Sequence, residues 1–227
     1  MLTAALGHAI ARLDVPTLVI DLDPANVLGL LLGTGRGPEP GIGAAVAQGR
    51  DWADAALMTA DNLRYLPFGQ TTAAQRAALE ARLAHEPGWF AVQLARIELP
   101  PEAIVLCDTP RRPSLLADEA CRAADCAIEV LAPTPLSYAG LRGQCPARAR
   151  VHLLNGFDAT RSLHTDLRAV LLDELGDTLA PYAVHRDEAV AEALAADRAL
   201  LDYGSSSQAV RDIHALARWF VHERART

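Results

Sequence analysis

The stretch Thr17-Leu-Val-Ile-Asp-Leu-Asp-Pro24 constrains this chain more than any other. Pro16 breaks the chain just before it, and Thr17 to Ile20 are β-branched or apolar with no polar alternation. Such a run predicts a short strand buried on both faces, as in a parallel sheet. Two carboxylates, Asp21 and Asp23, follow where the strand ends. A second run, Ala103-Ile-Val-Leu-Cys-Asp-Thr-Pro110, has the same character and also ends in a carboxylate, Asp108. In open α/β sheets, ligands sit beyond the carboxyl ends of the strands. Two buried strands ending in Asp can hold a metal ion and a water beside a phosphate. The same residues are also good caps for the turns that follow, and both readings stand at this point.

The chain has 227 residues, enough for one large α/β core, and no composition shift marks a boundary, so a single domain over 1–227 is expected. Net charge is −7, which argues against nucleic acid as a partner. All 21 basic residues are Arg, which excludes a Schiff-base lysine or a phosphate-binding lysine from this sequence. The cysteines, Cys107, Cys121, Cys126 and Cys145, form no C-x-x-C and have no His at metal-ligand spacing. They read as mostly buried thiols in a reducing compartment. Apolar runs such as Val27 to Leu32 are too short to span a bilayer, and no basic segment precedes an apolar core at the N-terminus. The expectation is a cytoplasmic protein.

Along the chain, apolar spacing predicts helices at Leu2–Leu13, Thr71–His85, Trp89–Ile97, Ser114–Ala124, Leu163–Leu175, Asp187–Ala196 and Ser206–Glu223. Shorter helices are expected at Ala25–Leu32 and Pro135–Leu141, with a helical turn at Trp52–Leu57. Gly33 to Gly43 reads as a loop. Further strands are expected at Asn62–Pro67, Cys126–Leu131, Arg150–Leu154 and Ala180–His185. Alternation of this kind predicts an α/β fold, a mostly parallel sheet with helices on both faces. In the last helix, Val210, Ile213, Leu216, Ala217, Phe220 and Val221 share one face, and the mixed charge of the other face argues for packing on the sheet and against gripping a membrane.

Several stretches together resemble a known family. They are Leu2-Thr-Ala-Ala-Leu6, Val19-Ile-Asp21, Asp51-Trp-Ala-Asp-Ala55, Leu66-Pro-Phe-Gly-Gln70, the Asp108 turn with Pro110-Arg111, Asn155, Phe157-Asp158 and His185-Arg-Asp-Glu188. The chain resembles the MinD/ParA group of P-loop ATPases, and within it the BcsQ/YhjQ proteins of bacterial cellulose-synthesis operons. The resemblance runs nearly end to end. Members begin with a strand and a Gly-rich phosphate loop, followed by a helix resembling Leu2 to Leu13. Met1 stands where that loop ends, so the expectation is a chain that lacks the first strand and the loop. That strand lies mid-sheet in the family, between the strands resembling Ala103–Cys107 and Cys126–Leu131. An unpaired edge or gap is therefore expected beside Ala103–Cys107, with Thr17–Asp21 on its other side.

The resemblance also implies roles. Asp23 takes the position that orients the attacking water, and Asp108 the position that binds Mg²⁺ through water, with Asp21 supporting the metal site. Asn155 takes the position that reads adenine. ATP and Mg²⁺ are the implied cofactors, although the missing loop and the absence of Lys imply impaired binding. The implied role is an accessory component of the cellulose synthase or secretion complex. It would be a homodimer that meets other proteins of the operon and reaches the inner membrane only through them. The alternatives are a positioning ATPase of the ParA/MinD type, or a degenerate scaffold that no longer uses nucleotide.

Overall fold

The computed structural model describes residues 1–35, 41–59, 61, 63–142 and 147–224. The elements run α1 (Leu2–Ala11), β1 (Thr17–Asp21), α2 (Leu28–Leu31), α3 (Ile42–Ala47), β2 (Leu57–Met58), β3 (Arg64–Leu66), α4 (Ala73–His85) and α5 (Trp89–Leu94). They continue with β4 (Ile104–Asp108), α6 (Leu115–Ala123), β5 (Cys126–Leu131), α7 (Pro135–Ala139), β6 (Ala149–Phe157), α8 (Ser162–Leu175), β7 (Val184–His185), α9 (Ala189–Ala195), α10 (Leu200–Tyr203) and α11 (Gln208–Arg224). The α/β expectation holds, but the strands form two sheets. One has the order β2-β3-β1-β4 and the other β5-β6-β7. All pairings are parallel except the short β2–β3 contact.

The edge expected beside Ala103–Cys107 is present: β4 pairs with β1 along its whole length and is not hydrogen-bonded to β5. Burial registers the difference between two similar sequences. All of β1 is buried, whereas every residue of β4 is only half-buried. Alternation of ladder bonds shows which groups face the open side. Ile104 donates to the Pro16 carbonyl and Leu22 to the Asp108 carbonyl, so residues 104, 106 and 108 bond towards β1. Val105 and Cys107 therefore point their backbone groups away from it. In β5, the Asp125 carbonyl accepts from Ala149, which puts 127, 129 and 131 towards β6 and leaves Ile128 and Val130 facing outward. Val130 is 49% exposed.

The two sheets share a helical layer. Ile104 and Leu106 of β4, Ile128 of β5, and Leu153 and Val184 of β6 and β7 all pack against the apolar faces of α1 and α11. Ala4 of α1 packs in turn with Val19 of β1. The predicted face of the last helix is accordingly inside: Val210, Ile213, Leu216 and Ala217 are buried. On the opposite side, α3 to α6 cover Leu18, Ile20 and Leu66, while Leu171 of α8 packs with Leu131 and Leu154.

Several boundaries shift for identifiable reasons. Helix α4 starts at Ala73 because Thr72 caps it, its hydroxyl accepting from Gln75 N while the Gln75 side chain accepts from Thr72 N. Strand β6 runs past Leu154 to Phe157 through a bulge, so Asn155-Gly156 is strand and not a turn. The strand expected at Ala180–His185 shrinks to Val184–His185, with a bridge between His152 and Leu179 before it. Part of the loop expected at 33–43 lies outside the described residues (36–40), and Ile42 already belongs to α3. Cys145 and Asn62 also lie outside them, and Cys126 is exposed rather than buried.

Asp51-Trp-Ala-Asp-Ala55 puts Trp52 into the core against Trp89 and Phe90, at ring-centroid distances of 6.0 and 5.6 Å. Trp52→Ala should destabilise the protein by about 3–5 kcal/mol in urea titration, and an unchanged midpoint would contradict that packing.

Candidate functional site

Asp21 and Asp108 are register partners at the carboxyl ends of adjacent parallel strands. The first turn of α1 meets them there, with the Thr3 hydroxyl donating to Asp108 Oδ1 at 2.5 Å. Asp21 is 0% exposed and accepts from the amides of Asp23 (2.9 Å) and Leu28 (3.3 Å). It thereby ties the strand end to the start of α2. Burial pushes the Asp21 carboxyl up to about 7; its two amide bonds oppose the rise and the Asp108 and Asp23 charges add to it. Asp108 is half-buried. The pair thus combines one carboxylate whose proton is weakly held near neutrality with one open to the strand-end face.

Asp23 lies beside them, half-buried, and caps its own turn by accepting from Ala25 N at 2.9 Å. Its turn-capping reading is therefore realised, while its second oxygen leaves room for another task. Asn155 is placed elsewhere: it is half-buried in β6 of the second sheet, paired with Val184. The three carboxylates gather at the end of one sheet, and Asn155 stands at the end of the other.

The family-marking motifs turn out to tie loops together around these ends. Asn26, buried and at φ 49°, accepts from Gly69 N at 3.0 Å, joining the loop after β1 to Leu66–Gln70. Pro67 and Phe68 carbonyls accept from Ile42 and Gly43. A Cβ on Gly41 would lie 2.4 Å from the Phe68 backbone, so that approach requires glycine. At the other end, Asp212 Oδ2 accepts from His185 N and pairs with His185 Nδ1 at 2.9 and 2.8 Å. Asp212 also accepts from Gln208 at 2.8 Å. Asp187 caps both α9 and α11, accepting from Ala189 and Ala209. Its burial alone would raise its pKa, but these amide bonds hold it below the ordinary value. The Asp212 contact was missed in the sequence. Its only signal is an acidic residue between Val210 and Ile213 on a face that is otherwise apolar.

For a hydrated divalent cation, the donor set fits: Asp108 open to solvent, Asp21 behind it and a hydroxyl adjacent. No three His, Cys, Asp or Glu side chains converge tightly enough among the described residues to hold a bare ion. For phosphates the set does not fit. Among the described residues no Gly-rich loop leads from a strand into a helix, and the sequence has no Lys.

Because the folded Asp21 carboxyl titrates near 7 and an unfolded one near 3.8, the folded state keeps the proton across that interval. Stability should therefore fall as pH rises from about 4 to 7 and level off above. The decline is at most on the order of 4 kcal/mol. Melting curves from pH 4 to 8 should show this slope in the native protein and a much flatter profile in Asp21→Asn; equal slopes would contradict it.

The chain matches the family described as cellulose biosynthesis protein BcsQ over residues 1–221. It is 31% identical over 227 residues to the cellulose biosynthesis protein BcsQ of Salmonella typhimurium, covering 96% of this chain and 87% of that protein. Against the BcsQ of Escherichia coli K12 it is 27% identical over 226 residues, with 96% and 87% covered. Among solved structures, MinD of Pyrococcus horikoshii complexed with Mg-ADP superposes with a TM-score of 0.74 at 18% identity, covering 96% and 88% of the two chains. The MinC:MinD complex of Aquifex aeolicus gives 0.75 at 17%, with 97% and 89% covered. Among the described residues, no helix is long and apolar enough to cross a membrane. With a MinD/ParA-type fold and a family match across almost its whole length, the chain belongs to the BcsQ family of cellulose biosynthesis proteins.

Proposed function

We propose that this protein is an accessory component of the bacterial cellulose synthase or secretion complex, working through the strand-end face that carries Asp21, Asp23 and Asp108. The observation that carries this reading is the adjacent Asp21–Asp108 pair inside a chain that matches the family over residues 1–221. On this reading Asp108 holds Mg²⁺ through water, Asp21 supports it from behind, Asp23 orients a water, and Asn155 contacts adenine. Mg²⁺ would supply charge neutralisation beside phosphates. The partners would be other proteins of the cellulose-synthesis machinery, met by a cytoplasmic homodimer and reached at the membrane only through them.

A second reading is a scaffold that binds its partners without nucleotide. A phosphate cradle provides several charge-assisted hydrogen bonds of about 1.5–3 kcal/mol each. The 227-residue chain should therefore bind Mg·ATP only weakly, with a millimolar or poorer dissociation constant by calorimetry; micromolar binding would contradict this. The cation site is tested separately. Mn²⁺ should broaden NMR signals around residues 21 and 108, and Asp108→Ala should remove that broadening while changing the melting temperature little, because Asp108 is half-buried and outside the apolar core. Unchanged broadening in the variant would refute the role given to Asp108. Copurification with cellulose synthase subunits from the native host would support the accessory role, and its absence would favour a positioning ATPase of the MinD/ParA kind.

A further inference from the structure

Helix α8 covers one face of the second sheet with a narrow contact. His164 and Leu171 are its buried residues, and Leu171 packs with Leu131 and Leu154. Leu163 and Val170 fall outside that contact and stay 51% and 45% exposed. They are seven residues apart, about two turns, so one lies above the other on the helix. Asp166 and Asp173 have the same spacing and form an acidic row beside the apolar one. Glu174, four residues after Val170, borders the apolar row on its other side. All three carboxylates are exposed, and among the described residues none has an ion-pair partner. The bases nearest in sequence are engaged elsewhere. Arg161 pairs with Asp158 at 3.2 Å, and the Arg168 guanidinium lies over the Phe157 ring, 5.9 Å from its centroid.

We propose that this flank of α8 is a docking surface for a helix of another protein, one with apolar residues at seven-residue spacing between rows of Arg or Lys. A helix laid alongside α8 repeats its apolar positions at the same interval, and so meets Leu163 and Val170 together. Its cations answer Asp166 and Asp173 on one side and Glu174 on the other. Charge decides between the possible occupants. A second copy presenting the same flank sets acidic row against acidic row, which is unfavourable. Anionic lipid headgroups and nucleic acid are repelled for the same reason. The surface lies apart from Asp21, Asp23 and Asp108 and does not need nucleotide.

The probe is a synthetic helical peptide with two leucines seven residues apart, arginines on both sides of that row and a polar back. It is titrated into the full 227-residue chain. It should bind saturably and shift the NMR amide signals of α8 around Leu163, Asp166, Val170 and Asp173. The double variant Asp166→Arg with Asp173→Arg should bind about tenfold more weakly. Its melting temperature should match the native one, because both residues are exposed. A peptide with glutamates in place of the arginines should fail to bind the native chain and should bind that variant. Leu163→Ser with Val170→Ser should also weaken binding of the arginine peptide about tenfold, by removing the apolar row. Leu172 is 58% exposed but has no carboxylate three or four residues away, so Leu172→Ser should leave binding unchanged. The proposal is overturned if the arginine peptide does not bind, if its shifts fall on other elements, or if either double variant binds it as tightly as the native chain. It is equally overturned if sedimentation shows the native chain pairing with itself through α8, or if anionic vesicles shift the same α8 signals. Because ATP and Mg²⁺ take no part in the assay, its failure leaves the proposed accessory role untouched.

Discussion

A sheet edge with no strand beside it gives up ladder hydrogen bonds, and the layout of the fold turns on the edge between β4 and β5. What holds the two sheets side by side is helix packing. Helix α1 places Leu2, Leu6 and Ile10 in the core shared with the second sheet, and Ala4 against Val19 of the first. Helix α11 lies beside it with Val210, Ile213 and Leu216 in the same core. Closing β4 onto β5 would gain a few backbone bonds, each worth about 1 kcal/mol net. It would also slide both sheets across a helix roughly 10 Å wide and empty part of the apolar contact on each. The packing wins, and the half-buried state of β4 is its visible result.

The candidate site inherits its geometry from the same layer. Since β1 and β4 are in register, their terminal carboxylates are brought together with no special loop, and the first turn of α1 supplies Thr3 to one of them. Burial of Asp21 against the amides of Asp23 and Leu28 makes it an acid that is neutral for part of the physiological range. On the proposed reading a proton and a divalent cation would compete for this corner, which would link cation binding to pH. The family-marking motifs contribute differently. Asn26 with Gly69, and His185 with Asp212, fasten loops at the ends of the sheets.

Much of this was legible in the sequence because the determinants are local. The apolar runs ending in Asp21 and Asp108 were readable as buried parallel strands, and their pairing follows from that. Apolar spacing made α4 and α6 readable, and the structure adds the caps, with the Thr72 and Ser114 hydroxyls each accepting from an amide of the first turn. The open edge was foreseeable from the resemblance alone, since nothing in the composition of β4 distinguishes it from β1. The misreadings involve tertiary choices. Strand β6 continues through Gly156 at φ 79° because β7 pairs across the bulge, which no local propensity encodes. Of the strand expected at Ala180–His185, only Val184 and His185 find a partner, and Pro181 has no amide to give to a ladder. Asp212 looked like a surface residue of a helix until His185 was seen to satisfy it.

The most direct measurement of this account is residue-resolved amide exchange on the unliganded protein. The account predicts slow exchange at Leu18 and Ile20, whose strand is paired on both sides, and at Ile104 and Leu106, whose amides bond to β1. It predicts exchange faster by orders of magnitude at Val105, Cys107, Ile128 and Val130, whose amides face the open edge. Uniform protection along β4 and β5, with cross-strand contacts between them, would show a continuous sheet and contradict the claim that helices alone hold the two halves together.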